Sequence, residues 1–166
     1  MTAKELIKEL DLQPHPEGGF FREMYRSTAE INVESLSSEF KGSRSVSTCI
    51  YFLLTSEAFS SFHKINQDEI WHFYLGSPIQ LHTLSPEGVH TEHHIGNDIK
   101  NLQYPQFVVP KGHWFSASVL NEDSYALVGC TVAPGFDFQD FELAKCQQLT
   151  AQFPEHAAVI KKYTRG

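Results

Sequence analysis

The residues best able to do chemistry in this chain lie in Phe62–Gly76, Phe-His-Lys-Ile-Asn-Gln-Asp-Glu-Ile-Trp-His-Phe-Tyr-Leu-Gly. His63 and Glu69 stand on two aromatic-rich runs joined by a polar turn, the pattern of a β-hairpin. Inside a barrel such a hairpin would bring an imidazole and a carboxylate together, where burial and mutual charge tune both protonation states. In a dry pocket one could give a proton while the other accepts one. The same two residues could equally satisfy each other as plain structure.

The flanking chain must supply the frame that positions them. Thr2-Ala-Lys-Glu5 has the form of a capping box, and the apolar spacing of Leu6, Ile7 and Leu10 predicts a short helix over 3–10. Leu12–Gly19, with two prolines and two glycines, cannot continue it. Phe20–Ser27 alternates, placing Phe20, Arg22, Met24 and Arg26 on one side and Phe21, Glu23 and Tyr25 on the other. Residues 28–44 read as a polar loop, and Val46–Thr55 as a strand buried on both faces. Further strands are expected over 58–65, 69–75, 78–84, 89–95, 107–109, 114–120 and 125–133. Many short strands without intervening helices predict an antiparallel sandwich or barrel over roughly 20–134. Two helices are expected after Pro134-Gly135, over 142–153 and 154–163, and residues 1–166 read as one domain.

Composition narrows the function classes. The chain is 41% hydrophobic and 20% charged, as ordinary globular proteins are. A formal net charge of −7 argues against a nucleic-acid partner, which requires a basic face. No apolar run approaches the ~18 residues of a membrane span, and the acid-bearing N-terminus is unlike a secretory signal. Cys49, Cys130 and Cys146 are odd in number and lack CxxC pairing, which fits reduced thiols in a cytoplasmic protein.

With the strands placed, Phe62–Gly76 resembles the first signature of the cupin superfamily, His-x-His, three or four residues, Glu, six residues, Gly. His63, Glu69 and Gly76 match it, while Ile65 takes the second histidine's place. Pro110-Lys111-Gly112 matches the start of the second signature, but Phe115 stands where its histidine belongs. The chain further resembles one small cupin subfamily catalogued as a domain of unknown function. His15-Pro-Glu-Gly-Gly-Phe-Phe-Arg-Glu23, Ile50–Leu54, Asp68–Phe73, Val109–Trp114 and Gly129–Phe138 carry that likeness. It implies a mainly β fold, a double-stranded β-helix or jelly-roll barrel, typically a homodimer.

The resemblance also frames the chemistry. Many cupins hold a metal with three histidines and a glutamate. Two of those four places are apolar here, so no cofactor is favoured; a divalent metal would have to use His63, Glu69 and His113. Metal-independent cupins include sugar-nucleotide epimerases that use a pocket histidine as base, which implies His63 and Glu69 as catalytic residues with Tyr51 or Tyr25 as proton donor. Glu17, Arg22 and Arg26 form a group whose arginines could clamp a carboxylate or phosphate, or make surface ion pairs and dimer contacts. Trp71 and Phe73 share Glu69's strand face and would stack on a ring, whereas His72 points the other way. Trp114 would close the barrel mouth. Phe136 and Asp137 lie between the last strand and the helices, with Asp137 either a helix N-cap or a partner for a pocket histidine. The expected function is binding of a small polar metabolite with acid–base isomerisation or epimerisation of a sugar or sugar nucleotide. A non-catalytic ligand-binding protein and a metal-dependent enzyme are the alternatives.

Overall fold

Period-two alternation of apolar side chains builds two sheets whose inner faces meet. The computed structural model describes all residues, Met1–Gly166. The first sheet contains β1 (Gln13–Pro14), β2 (Phe20–Arg26), β5 (Thr48–Thr55), β7 (Asp68–Gly76), β11 (Gln106–Val109) and β13 (Tyr125–Ala133). Its spatial order is β1-β2-β5-β13-β7-β11. The second sheet contains β6 (Ser60–Lys64), β8 (Ile79–Leu84), β9 (His90–Ile95), β10 (Gln103–Tyr104), β12 (Trp114–Val119) and β14 (Glu142–Leu143). Its order is β10-β9-β8-β12-β6-β14, antiparallel except between β9 and β10. This is the expected mainly β jelly roll. No helix is long and apolar enough to cross a membrane.

The core between the sheets is built from Phe52, Leu54, Trp71, Leu81, Phe115 and Val128, among others. A second cluster, with Phe62, Leu84 and Trp114, is covered by α2 (Cys146–Gln152) and α3 (Ala157–Lys162). Helix α1 (Ala3–Glu9) closes the outer face of β5 through Leu6, Leu12, Leu53 and Phe20. Thr2 and Glu5 form the expected reciprocal capping box.

Two segments differ from expectation. The polar stretch 28–44 carries a small ladder, β3 (Glu30–Ile31) with β4 (Arg44–Ser45). Residues 142–143 are a strand, not a helix, because the free edge of β6 offers them backbone partners at Lys64 and His63. The helix therefore begins at Cys146.

The 28–44 excursion is anchored by a buried ion pair. Arg44 donates from Nε and Nη2 to Asp140 at 2.8 Å each, and Gln67 Nε2 donates to the same carboxylate at 2.8 Å. Arg44 is 4% and Asp140 6% exposed. Removing the acid strands a buried guanidinium. Asp140→Ala is therefore expected to lose about 3 kcal/mol in urea denaturation, with Arg44→Met,Asp140→Leu less destabilised than Asp140→Ala alone. A loss on the single change of only a few tenths would contradict this account.

Candidate active site

A tight turn carries the first residue of the candidate site. Gly18 and Gly19 adopt φ of +110° and +76°, and a Cβ on either would run into backbone carbonyls, of Phe59 and Leu53 respectively. Only glycine allows the chain to double back this closely. His15 N–H donates to the Gly19 carbonyl at 2.9 Å, closing the turn and aiming Glu17 inward. Strand β6 then docks on it, with Ser61 N–H donating to the Glu17 carbonyl at 2.8 Å.

Glu17 and His63 meet in the interior, Oε2 to Nε2 at 3.0 Å, with exposures of 6% and 2%. Their hydrogen-bond partners assign the proton. His63 Nδ1 lies 2.7 Å from the Ser61 carbonyl, which can only accept, so Nδ1 carries the hydrogen. Nε2 of the neutral ring then presents a lone pair, and Glu17 must bring the proton to that contact. Ser60 Oγ donates to the other Glu17 oxygen at 2.8 Å. Burial agrees with this assignment. It lowers the His63 pKa to about 3 and, with the nearby Glu69 charge, raises Glu17 well above the carboxylate range.

His15 and Glu69 complete the interior polar set. The Glu17 N–H donates to His15 Nδ1 at 3.3 Å, which leaves the His15 proton on Nε2. Burial lowers the His15 pKa to about 4. Glu69 is 8% exposed, and burial raises its pKa to about 7. Cys130 and Trp71 lie beside the Glu69 carboxyl and partly offset that rise. The Trp71 N–H is within electrostatic reach of it without meeting it in a well-formed hydrogen bond.

These four groups line a cavity of about 280 Å³. Phe21, Phe52, Phe136, Phe138 and Phe141 give it aromatic walls, and Glu23, Arg26 and Asp137 stand among its lining residues. Asp137 caps the short turn that follows, its carboxylate accepting from the Gln139 N–H at 2.8 Å.

Sequence and fold resemble known proteins. The family described as Cupin superfamily (DUF985) matches residues 4–144. The chain belongs to this cupin family. An uncharacterized protein of Saccharomyces cerevisiae is 37% identical over 171 residues, covering 96% of this chain and 84% of the relative. A hypothetical protein from Leishmania major superposes with a TM-score of 0.91 at 36% identity, covering 100% of both chains. A Shewanella oneidensis protein gives 0.90 at 39%, covering 99% of this chain and 98% of its own. Oxalate decarboxylase from Bacillus subtilis, at 14% identity and a TM-score of 0.55, shares the fold, with 93% of this chain matching 37% of that one.

Against this cupin frame, several expected site residues fall elsewhere. His63 pairs with Glu17 rather than with Glu69. Trp71 and Phe73 do face inward with Glu69, but the barrel is packed solid at their depth. Trp71 is 0% exposed against Phe52 and Phe115, and Phe73 packs on the same core. Trp114 lies under the C-terminal helices with Lys64 Nζ 4.5 Å from its ring, not at a mouth. A bulge between Glu23 and Tyr25 reverses the alternation of β2, so Arg26 joins Phe21 and Glu23 at the cavity while Tyr25 is 55% exposed. Arg22 and Tyr51 pair on the opposite face, where Arg22 donates to the Leu10 carbonyl and Tyr51 packs edge-on to Tyr74. His72 sits between Thr131 and Gln106, away from the cavity as its parity requires.

The donor set does not suit a metal. Phe115 packs at a tilt against His63, ring centroids 4.0 Å apart, and Ile65 lines the cavity, in two of the usual ligand places. His113 lies at the 110–113 turn near its own Lys111 carbonyl and does not join His63 and Glu69. No three His, Cys, Asp or Glu side chains are arranged to hold an ion.

His15 is the interior group missed by considering His63 and Glu69 alone. Its signal was the His-Pro-Glu-Gly-Gly run itself, since two glycines behind an acid and a histidine mark a turn that buries both.

Glu69 should leave a measurable imprint on stability. Its folded pKa of about 7 exceeds the ordinary 4.5, so its contribution is complete below pH 4.5 and is lost as pH rises through 7. Glu69→Gln removes that loss. Relative to wild type, the variant should gain up to ~3 kcal/mol between about pH 5 and about pH 8 in urea denaturation. The depressed histidines are common to both proteins and cancel. A pH-independent difference would show that Glu69 titrates normally.

Proposed function

We propose that this cupin is a metal-independent acid–base enzyme that isomerises or epimerises a small polar metabolite. The observation that carries the reading is the Glu17–His63 contact, which holds one proton between two buried groups. Glu69, with a pKa of about 7, shares the cavity and is ready to exchange a second. In the proposed reaction the Glu69 carboxylate takes a proton from carbon beside a carbonyl, leaving an enolate. Glu17, relayed with His63, returns a proton to that carbon from the other side. The two carboxyls then exchange protons with water to reset. Tyr51 and Tyr25, remote from the cavity, have no part in this.

The cavity sits at the lower edge of the ~300–1,000 Å³ of drug-sized pockets, which favours a single-ring molecule over an enclosed sugar nucleotide. The reducing cytoplasm suits the three free thiols. A homodimer is part of the proposal. Strand β1 pairs only with Phe20 and Phe21, so the rest of β2 is an open edge carrying exposed Met24 and Tyr25.

Two measurements test these statements. In deuterated water, aldoses and ketoses, amino sugars among them, should gain solvent deuterium next to the carbonyl. His63→Ala and Glu17→Gln should each slow this by about 100-fold or more. A ligand held tightly with no exchange would make the protein a binding module instead. In sedimentation at micromolar concentration the chain should run at twice its 18.9 kDa mass, and Tyr25→Lys should shift it toward the monomer. A wild-type monomer would refute the dimer.

A further inference from the structure

The cavity's charges select a class of ligand, an inference that rests on reading this cavity as the working site. We propose that the metabolite it holds is a small organic cation, bearing a protonated amine or a quaternary nitrogen.

Every nearby cation is already engaged. Arg26 places Nε and Nη2 on the Glu23 carboxylate at 2.8 Å each, and Nη2 also donates to the Phe136 carbonyl at 3.0 Å. The arginine fork expected to clamp a carboxylate or phosphate is thus occupied by the protein's own acid. Arg165 is held by the carbonyls of Glu17 and Phe59 and by Ser61. An anion entering the cavity would meet no free positive group.

One acid is in the opposite condition. Glu69 is more than nine-tenths buried and lines the cavity with no cationic side chain in an ion pair with it, whereas Glu17 beside it is the neutral acid already committed to His63 and Ser60. The Glu69 carboxyl has only the Cys130 thiol and the Trp71 N–H beside it, so it faces the cavity without a charged partner. Such a group gains most from a ligand that supplies positive charge. The walls act in the same sense. Phe136, Phe138 and Phe141 form edge-to-face contacts around the cavity, and the negative faces of such rings attract cations. Asp137 adds a further acid to the lining.

The test is a charge series on one ring shape: cyclohexylammonium, cyclohexanol and cyclohexanecarboxylate, titrated calorimetrically into the full chain in about 0.15 M salt to screen surface charge. The ammonium should bind about tenfold or more tighter than the alcohol, and the carboxylate weakest. Glu69→Gln should weaken the ammonium about tenfold while leaving the alcohol unchanged. Should that variant fold poorly, the wild-type series stands alone, and Phe138→Leu at the half-exposed edge of the site should reduce the ammonium preference. Equal binding of ammonium and alcohol, preference for the carboxylate, or no binding by any of the three overturns the proposal. An ammonium preference unmoved by Glu69→Gln overturns it as well. Binding does not require turnover, so this test and the deuterium exchange can fail separately.

Discussion

The proton between Glu17 and His63 constrains much of the surrounding structure. A buried neutral imidazole and a buried carboxylic acid are tolerable only if each polar atom finds a partner. The Ser61 carbonyl, the Ser60 hydroxyl and the Glu17 oxygen answer that requirement. Two of those three partners sit on β6 itself, so the strand that presents His63 also fixes its tautomer. The third comes from a turn that cannot form without Gly18 and Gly19. The tail residue Arg165 then clamps turn and strand together and stacks over Phe59 at 4.0 Å. The C-terminal tail therefore meets the His15–Gly19 turn at the site.

The same constraint explains why this barrel has left the metal-binding pattern of other cupins. The His63 Nε2 lone pair is already taken by the Glu17 proton at 3.0 Å. Phe115 lies against the imidazole and Ile65 borders the cavity, and neither can donate electrons to an ion. Apolar walls also raise the energy of every charge within. That is why Glu69 moves to about 7, while His15 falls to about 4. Of the two, Glu69 exchanges its proton near neutrality, while His15 stays neutral there.

Much of the fold was legible because alternation and turn residues act locally. The strands from Val46 onward, the capping box at Thr2 and the glycine-closed hairpins follow from nearest neighbours along the chain. What escaped depended on distant partners. Residues 142–143 have a helical pattern, yet the edge of β6 captures them. One extra residue in β2 exchanged the places of Tyr25 and Arg26, and no local signal announces a bulge of that kind. At the site, parity correctly turned Trp71, Phe73 and Glu69 to one side. Depth could not be read from parity, so two core aromatics looked like pocket walls.

Depth is in fact what separates core from cavity in this barrel. At the level of Trp71 the interior is filled by Phe52, Phe115 and Val128, all nearly inaccessible. One same-face step along β7, Glu69 stands opposite Val132, and Ile65 also lines the cavity at this end; both are shorter than the aromatic side chains and leave space. The shortfall is not closed by a larger core residue. The His15–Gly19 turn and the Phe136–Phe141 segment arch over it instead, bringing a histidine, an acid and three phenylalanines. Filling the gap with a leucine or phenylalanine in place of Ile65 or Val132 would have been the simpler route to stability. A barrel that leaves the space open, and surrounds it with two buried carboxyls and two neutral imidazoles, forgoes packing energy there, and on the proposed reading that space belongs to the ligand.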